Sequence, residues 1–240
     1  LYSELHHRIH GLEWQLGYEA QRVFVCSHYM KAEVIRIFQL PEDKVDVFPN
    51  GIVLDNGGEK RKGAGGRTAA ERETTANPRR GSGGPVVLYV GRLVFEKGVH
   101  VLLEAMPLIL RQVPDARLVI VGAGPMEAEL RAKAAPLGDR VQFAGFVSDE
   151  TRDRFYQTAC VSVFPSLYEP FGIVALEAMK HRCPVVVSDT GGLSEIVEHG
   201  VDGYKALPGH PGSLAWHVAD LLTRPEVAEA MARAAYRKLE

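Results

Sequence analysis

Cysteine is scarce in this sequence, and no two of its cysteines form a CxxC pair. The three that are present, Cys26, Cys160 and Cys183, lie far apart, and two of them lie in or beside apolar runs. Such spacing is typical of buried free thiols in a reducing compartment. We therefore expect free thiols and a cytoplasmic protein.

An excess of charge is also absent, because the 28 basic side chains nearly cancel the 30 acidic ones. The chain lacks both the bulk positive field that attracts nucleic acid and the strong acidity of a solvating tail. No apolar run approaches the roughly 20 residues that span a bilayer, and the first ten residues are too polar for a secretory signal. These absences predict no nucleic-acid partner and no transmembrane segment.

Apolar sequence for a sizeable core is present, since 46% of the 240 residues are hydrophobic. This length suits one large domain, or one domain plus part of another. Because the first residue is not methionine, we expect the chain to be a fragment.

Short β-branched runs alternate with longer amphipathic runs from residue 86 onward. The short runs are VVLYV, RLVIV, VQFAG, CVSVF and PVVVS, and the amphipathic runs after them cover 98–112, 126–135, 149–158, 172–181 and 192–198. Apolar strands in strict alternation with helices indicate a parallel sheet covered on both faces. The sequence therefore predicts an α/β fold, a Rossmann-like doubly wound parallel sheet over residues 86–240. Ligands bind such sheets at the carboxyl ends of the strands.

The preceding residues, 1–55 and 56–85, have a different character. The first segment contains a long helical pattern, a strand at RVFVC, a helix capped by Ser27 and a strand at VDVFPNG, which suits the tail of another α/β unit. The second has no bulky apolar residue but has seven Lys or Arg, three Glu and eight glycines. It cannot bury enough surface to offset its ordering entropy, so we predict a flexible insertion. A basic arm for nucleic acid is the less favoured alternative.

Two cations follow the first strand of the predicted sheet. In GRLVFEKG, Gly91 permits a tight turn, and Arg92 and Lys97 lie at the crevice before a helix that starts near Gly98. A guanidinium forks onto two phosphate oxygens and an ammonium acts as a point charge, so together they can neutralise a diphosphate without a metal. The alternative is that both are solvated loop charges.

A second loop, VGAGPMEAEL, offers Gly122 and Gly124 before a helix. It is similar to the dinucleotide fingerprint GxGxxG, but Glu127 occupies the third glycine's position and is too large for close helix packing. No acidic residue clearly ends the next strand. A nicotinamide oxidoreductase is therefore the weaker hypothesis.

The segment PSLYEPFGIVALEAM places two carboxylates on either side of a helix start. Pro170 keeps Glu169 out of helical geometry, so Glu169 projects into the crevice while the helix begins near Gly172. The first amides of that helix then present unpaired N–H groups to an anion. Glu177 lies about 7.5 Å further along the axis, where it can accept hydrogen bonds from a ribose diol.

These motifs resemble the donor-binding signature of glycosyltransferase family 4, the retaining GT-B enzymes that include bacterial glycogen synthases. The matching stretches are GRLVFEKG, EPFGIVALE, TGGLSEIV and FPNG, spread over roughly residues 45–205. The TGGL stretch is more similar to the glycogen and starch synthase branch than to the mannosyltransferases. The resemblance implies the C-terminal half of a GT-B fold. It also implies transfer of a hexose, with glucose favoured, from an ADP- or UDP-sugar with retention of configuration.

The resemblance also implies a role for each matching residue. Arg92 and Lys97, after the turn at Gly91, would grip the donor diphosphate, and Glu169 would contact the transferred hexose; these three form the predicted catalytic set. The phosphate and sugar would meet the amides of Phe171, Gly172, Ile173 and Val174, the ribose would meet Glu177, and the base would meet Phe146 and Val147. No cofactor or metal is implied.

Two departures from the family pattern bear on activity. Val53 stands where the family carries an aspartate, with Asp55 nearby. The resemblance also leads us to expect that this chain lacks nearly all of the amino-terminal domain that binds the acceptor. We therefore expect a donor half-site that does not turn over alone, and a non-catalytic nucleotide-binding module is the alternative. His6, His10 and Glu13 on one helix face form a weaker candidate metal site, since a third ligand at recognisable spacing is missing.

Overall fold

A computed structural model describes residues 2–54 and 83–240 of the chain. The predicted insertion at 56–85 and Asp55 therefore lie almost wholly outside the described residues. Residues 2–54 form helix α1 (Tyr2–Glu19), strand β1 (Val23–Val25), helix α2 (His28–Phe38) and strand β2 (Val45–Val47). Strands β1 and β2 pair in parallel. The strands predicted at RVFVC and VDVFPNG are thus present, while the assignment of this segment to a separate domain stays a prediction.

The second described part contains a parallel sheet of six strands. They are β3 (Val86–Val90), β4 (Arg117–Val121), β5 (Val141–Gly145), β6 (Val161–Phe164), β7 (Val185–Ser188) and β8 (Tyr204–Ala206). Their order is β5-β4-β3-β6-β7-β8. The direction of strand addition reverses between β3 and β6, and the crevice at such a switch point is where doubly wound sheets bind ligands.

Seven helices of this part pack on the two faces of the sheet. They are α3 (Val99–Gln112), α4 (Glu127–Ala134), α5 (Asp149–Thr158), α6 (Ile173–Lys180), α7 (Gly191–Ile196), α8 (Pro211–Thr223) and α9 (Pro225–Leu239). Successive side chains of β3 alternate between the faces, as strand geometry requires. Val87 and Tyr89 join the core formed with α3 and α8, whereas Leu88 and Val90 join the core formed with α6 and α7. The predicted doubly wound α/β fold is confirmed.

From β3 to α7, the predicted strands and helices agree with the structure to within two residues at each end. Strand β2 ends at Val47, four residues before the end of the predicted VDVFPNG strand. Helix α3 begins at Val99 because Gly98 has a φ of 66°, a left-handed conformation that ends the preceding turn. Strand β8 and helices α8 and α9 lie beyond the last predicted helix. Within the described parts of the chain, every helix is too short or too polar to cross a membrane.

Candidate functional site

The loops after β3 and β6 lie directly against each other at the switch point. The backbone N–H groups of Leu167 and Tyr168 both donate to the carbonyl of Glu96, at 2.8 and 3.2 Å. The approach is so close that a Cβ on Gly98 would lie 2.0 Å from the carbonyl oxygen of Pro165. The loop that carries Lys97 and the loop that carries Glu169 therefore form one surface.

Lys97 and Glu169 form an ion pair on that surface. The Lys97 Nζ lies 2.6 Å from Glu169 Oε2, and only 18% and 8% of the two side chains are exposed. The Ser166 hydroxyl donates to the same oxygen at 3.2 Å. Glu169 Oε1 accepts no hydrogen bond from any described residue and is not fully buried. The predicted phosphate-binding lysine and the predicted sugar-binding glutamate are thus in direct contact, with one carboxylate oxygen available to a ligand.

A hydrogen bond holds the backbone of Arg92, whereas its side chain is mostly exposed to solvent. The Tyr89 hydroxyl donates to the carbonyl of Arg92 at 2.9 Å. Burial raises the pKa of Tyr89, and the nearby Glu169 raises it further, so the hydroxyl stays protonated. The Arg92 side chain is 72% exposed and its one ion pair among the described residues is a 3.8 Å contact with Glu96. The structure therefore brings Arg92 to the same loop as Lys97, with its guanidinium extended into solvent.

The start of α6 is open, as the sequence predicts. Gly172, at the N-cap, has a φ of 104°, and the Ala175 N–H donates to its carbonyl at 2.9 Å. The amides of Gly172, Ile173 and Val174 donate to no described residue. Phe171 is buried while Ile173 is 43% exposed. Free amides and the positive end of the helix dipole together form a place for an anion beside Lys97.

The start of α7 supports the loop that carries Glu169. The Gly192 N–H donates to the carbonyl of Glu169 at 2.9 Å. A Cβ on Gly191 would lie 2.0 Å from that carbonyl oxygen, and a Cβ on Gly192 would lie 2.3 Å from the carbonyl oxygen of Phe171. The two glycines of TGGLSEIV therefore allow a backbone contact that any side chain would block.

Glu177 lies one turn into α6 and faces α5. The Tyr156 hydroxyl donates to its Oε2 at 3.2 Å, and Arg152 Nη1 lies 3.5 Å from its Oε1. Burial raises the pKa of the Glu177 carboxyl, and the opposing effects of Arg152 and the Tyr156 hydrogen bond do not cancel the rise. Glu177 and Ile173 also line a cavity of about 150 Å³, together with Ile52, Val53, Arg152, Asp153, Lys180 and His181.

The residues predicted to meet the base follow β5, the strand at one edge of the sheet. Phe146 is 88% exposed, so a broad aromatic face is open to solvent. Val147 is half-buried and packs against the core on the α6 face. Phe146 and Val147 thus lie at the carboxyl edge of the sheet, and their contact with a base stays a prediction.

Three contacts between residues 2–54 and the site loops were not foreseen from the sequence. The Ser27 hydroxyl donates to the carbonyl of Pro170 at 2.6 Å. The Glu195 carboxylate accepts hydrogen bonds from the backbone N–H groups of His28 and Tyr29, at 2.9 and 2.7 Å. The sequence indicates only that Ser27 caps α2, which it also does, and no local pattern links Glu195 to α2.

The candidate metal site on α1 gains no support. Among the described side chains, no group of three or more His, Cys, Asp or Glu residues could hold a metal ion. His10 packs beside Phe38 with a ring-centroid distance of 5.2 Å. The His6 side chain lies outside the described residues.

Comparison with known structures identifies the class of fold. The chain is similar to HepE of Anabaena in complex with UDP and glucose, with a TM-score of 0.75 and 24% identity over 93% of this chain and 59% of that one. It is also similar to sucrose-phosphate synthase of Thermosynechococcus elongatus, with a TM-score of 0.75 and 28% identity over 96% of this chain and 56% of that one. Both are GT-B glycosyltransferases, so the described residues have the fold of part of a GT-B protein.

Sequence comparison gives the family. Residues 71–238 match Glycosyl transferases group 1 and residues 2–56 match Glycosyltransferase Family 4. The chain belongs to the glycosyl transferases of group 1. It is 43% identical over 229 residues to an uncharacterized glycosyltransferase of Methanocaldococcus jannaschii, covering 93% of this chain and 56% of the relative. It is also 33% identical over 237 residues to glycogen synthase of Mycobacterium tuberculosis, which covers 98% of this chain and 53% of that relative. The chain thus spans about half the length of these relatives.

Proposed function

We propose that this chain binds the donor of a glycosyltransferase that moves a hexose from a nucleoside diphosphate sugar to an acceptor with retention of configuration. The observation that carries the proposal is the pairing of Lys97 with Glu169 at the switch point, beside the free amides at the start of α6. Glucose is the favoured hexose because a relative is a glycogen synthase and HepE was solved with UDP and glucose. The nucleotide is ADP or UDP.

The diphosphate would lie between the free α6 amides and the two cations. An ammonium group has three N–H donors, so Lys97 can keep its bond to Glu169 while it donates to a phosphate oxygen. Because the Arg92 guanidinium is exposed, it can form two parallel hydrogen bonds with oxygens of the same diphosphate. Because Glu169 already offsets charge on Lys97, Arg92 and the helix dipole would supply the remaining neutralisation without a metal.

The sugar and nucleoside would extend in opposite directions from the diphosphate. Glu169 Oε1 would accept a hydrogen bond from a hexose hydroxyl, since it has no partner among the described residues. Glu177 would accept hydrogen bonds from the ribose, and Phe146 with Val147 would meet the base. Glu169 lies on the loop after β6, Glu177 on the helix that follows it, and Phe146 with Val147 on the loop after β5, an arrangement that suits an extended ligand.

In the reaction, the bond between the anomeric carbon and the diphosphate oxygen breaks, and its electron pair leaves with the diphosphate. The acceptor hydroxyl then forms the new bond on the same face of the sugar, and its proton passes to an oxygen of the departing diphosphate. Lys97, Arg92 and the α6 dipole would stabilise the charge that develops on the leaving group, which is preorganised electrostatic catalysis. The acceptor would bind through an amino-terminal domain of the whole protein.

Calorimetric titration of the chain with ADP, UDP and NAD in the presence of EDTA tests donor binding. We expect ADP or UDP to bind, and we expect Arg92→Ala and Lys97→Ala to weaken binding by about 1.5 to 3 kcal/mol, the range for a hydrogen bond to a charged group. Lys133→Ala, which removes an exposed cation paired with Glu104, is the control and should bind as the wild type does. Unchanged affinity in both site variants, or binding of NAD alone, would contradict the proposal.

A transfer assay separates the enzyme from a non-catalytic nucleotide-binding module. The chain joined to the amino-terminal half of the Methanocaldococcus jannaschii relative would be given ADP- or UDP-glucose and a glucan. Transfer that is lost in Glu169→Gln supports the enzyme. Diphosphate binding with no transfer to any acceptor supports the module.

A further inference from the structure

Two residues on α5 hold the carboxylate of Glu177 from one side. Arg152 and Tyr156 are four positions apart, so they lie on the same face of α5. Tyr156 is fully buried, and its ring stacks on His181 with a centroid distance of 5.8 Å and an interplanar angle of 13°. The Tyr156 hydroxyl is therefore fixed in place, 3.2 Å from Glu177 Oε2 and 3.4 Å from the carbonyl of Val174.

The arginine is fixed as well. Its Nη1 lies 3.0 Å from Asp149 and its Nη2 lies 3.1 Å from Asp153, so α5 itself sets the direction of the guanidinium. The same Nη1 lies 3.5 Å from Glu177 Oε1. Each oxygen of Glu177 thus has one partner on α5, which defines the plane of the carboxylate. A glutamate without such partners would populate several rotamers and would have to lose that freedom when a ligand binds.

Each oxygen of Glu177 keeps a lone pair beyond its partner on α5. The side chain is 22% exposed and lines the cavity of about 150 Å³ together with Ile173, whose amide is free. A carboxylate oxygen accepts more than one hydrogen bond. Two adjacent hydroxyls of a ribose present two donors to two oxygens in one plane, which is the arrangement that a fixed carboxylate recognises.

We propose that Tyr156 and Arg152 are positioning residues that hold the Glu177 carboxylate toward a ribose diol and thereby set a preference for ribonucleoside diphosphates over those lacking the hydroxyls. The inference rests on the proposed function, because Glu177 is assigned to the ribose there. It adds that the preference depends on two residues of α5, neither of which belongs to the family motifs found in the sequence.

The test compares the affinity of the chain for ADP and UDP with its affinity for their 2′,3′-dideoxy analogues. We expect wild-type protein to prefer the ribonucleotide by about tenfold or more, as expected for hydrogen bonds to a charged group. Glu177→Gln should reduce the preference, and Tyr156→Phe and Arg152→Gln should each reduce it by about threefold or more. In both α5 variants the affinity for the dideoxy analogue should stay unchanged, because that ligand does not use the Glu177 carboxylate.

Tyr204→Phe is the matched control, since it removes a tyrosine hydroxyl that donates to Asp220 at 2.8 Å, away from Glu177. It should keep the full preference. The Arg152 side chain is 26% exposed whereas Tyr156 is fully buried, so Arg152→Gln remains informative if Tyr156→Phe fails to fold. A preference that persists in folded α5 variants, or an equal loss for both ligands, overturns this inference alone. Wild-type protein that binds no nucleoside diphosphate overturns the proposed function and this inference with it.

Discussion

At the scale of single residues, the two predicted phosphate-binding cations differ in what they do for the fold. Lys97 is paired with the nearly buried Glu169, whereas Arg92 is 72% exposed and makes a long contact with Glu96. Removing one partner of a buried pair leaves an uncompensated charge, which costs far more than the loss of an exposed pair. Variants of Lys97 should therefore lose both stability and diphosphate binding, whereas variants of Arg92 should lose diphosphate binding with little loss of stability.

We expect Lys97→Met to lower the free energy of unfolding by about 3 kcal/mol and Arg92→Met to change it by less than about 0.5 kcal/mol. Urea denaturation measures both. Adding Glu169→Gln to Lys97→Met should restore part of the loss, because the unpaired carboxylate is then absent. Equal effects of the two single variants would mean that the Lys97–Glu169 pair is not buried in solution.

Glu177 gives a second prediction at this scale. Burial raises its pKa above the usual 4.5, so the folded protein keeps this proton at pH values where the unfolded chain has lost it. The stability that Glu177 contributes is therefore highest below the unfolded-state pKa and is lost as pH rises through the folded-state pKa. Glu177→Gln removes this titration. Relative to wild type, the variant should gain unfolding free energy as pH rises above about 4.

Urea denaturation of both proteins at several pH values measures that difference. Glu229→Gln is the control, because Glu229 is an exposed partner of Arg233 on α9. If the unfolding free energy of Glu177→Gln relative to wild type falls as pH rises, the hydrogen bond from Tyr156 and the charge of Arg152 outweigh the effect of burial on the Glu177 pKa.

The residue types of the site could be predicted from the sequence, but their pairing could not. Lys97 and Glu169 are 72 positions apart, and their motifs predict contacts with different parts of the ligand. They meet because β3 and β6 are neighbours in the sheet, and spacing along the chain does not reveal strand order. The partners of Glu177 on α5 were missed for the same reason, since Tyr156 and Arg152 carry no motif.

At the scale of secondary structure elements, the fit between α7 and the loop before α6 depends on backbone approach. Gly191 has a φ of 55° and a Cβ there would lie 2.0 Å from the carbonyl oxygen of Glu169. Gly138 has a similar φ of 52°, but a Cβ there would meet nothing within 4 Å. A residue with a side chain would pay the cost of the left-handed backbone conformation at either position. Only at Gly191 would its Cβ also clash with a neighbouring carbonyl oxygen.

We expect Gly138→Ala to lower the free energy of unfolding by about 1 kcal/mol. Gly191→Ala should lower it by about 2 kcal/mol more, because the loop must shift to admit the methyl group. Urea denaturation measures this difference, and calorimetry should show weaker diphosphate binding only in Gly191→Ala. Equal losses in the two variants would mean that the close contact between α7 and Glu169 is not formed.

The elements themselves were largely predictable, because each strand from β3 to β7 is a short run of β-branched and apolar residues next to turn residues. Strand β8 has only the three residues Tyr204–Ala206, too few for a period to be recognised. Helices α8 and α9 are separated by Arg224 alone, with Pro225 at the start of α9. The local sequence pattern therefore predicts the strands from β3 to β7 but does not predict the short edge strand β8.

At the scale of the whole molecule, residues 2–54 are joined to the sheet of 83–240 through the candidate site. Glu195 on α7 caps the start of α2, and Ser27 holds the carbonyl of Pro170 next to Glu169. These partners are 143 to 167 positions apart in the chain, so no local pattern could predict them. A displacement of α2 would therefore be transmitted to the loop that carries Glu169.

Glu195→Gln tests this connection. The carboxylate lies at the positive end of the α2 dipole and accepts two backbone hydrogen bonds, so loss of its charge should weaken the capping of α2 by about 1 kcal/mol. Local opening of α2 then becomes about fivefold more frequent, and hydrogen exchange of its amides accelerates by the same factor. Native-state hydrogen exchange followed by mass spectrometry of peptides from α2 and from β3 measures this effect.

Glu33→Gln removes a charge from α2 itself and breaks its ion pair with Arg36, so it controls for the effect of charge on helix stability. If Glu195 joins the two parts of the molecule, Glu195→Gln should accelerate exchange in α2 and leave β3 protected, and it should also weaken diphosphate binding through Pro170 and Glu169. Glu33→Gln should leave diphosphate binding unchanged. Equal exchange of α2 in Glu195→Gln and wild type would mean that the cap is not formed in solution, and the site would then depend on residues 83–240 alone.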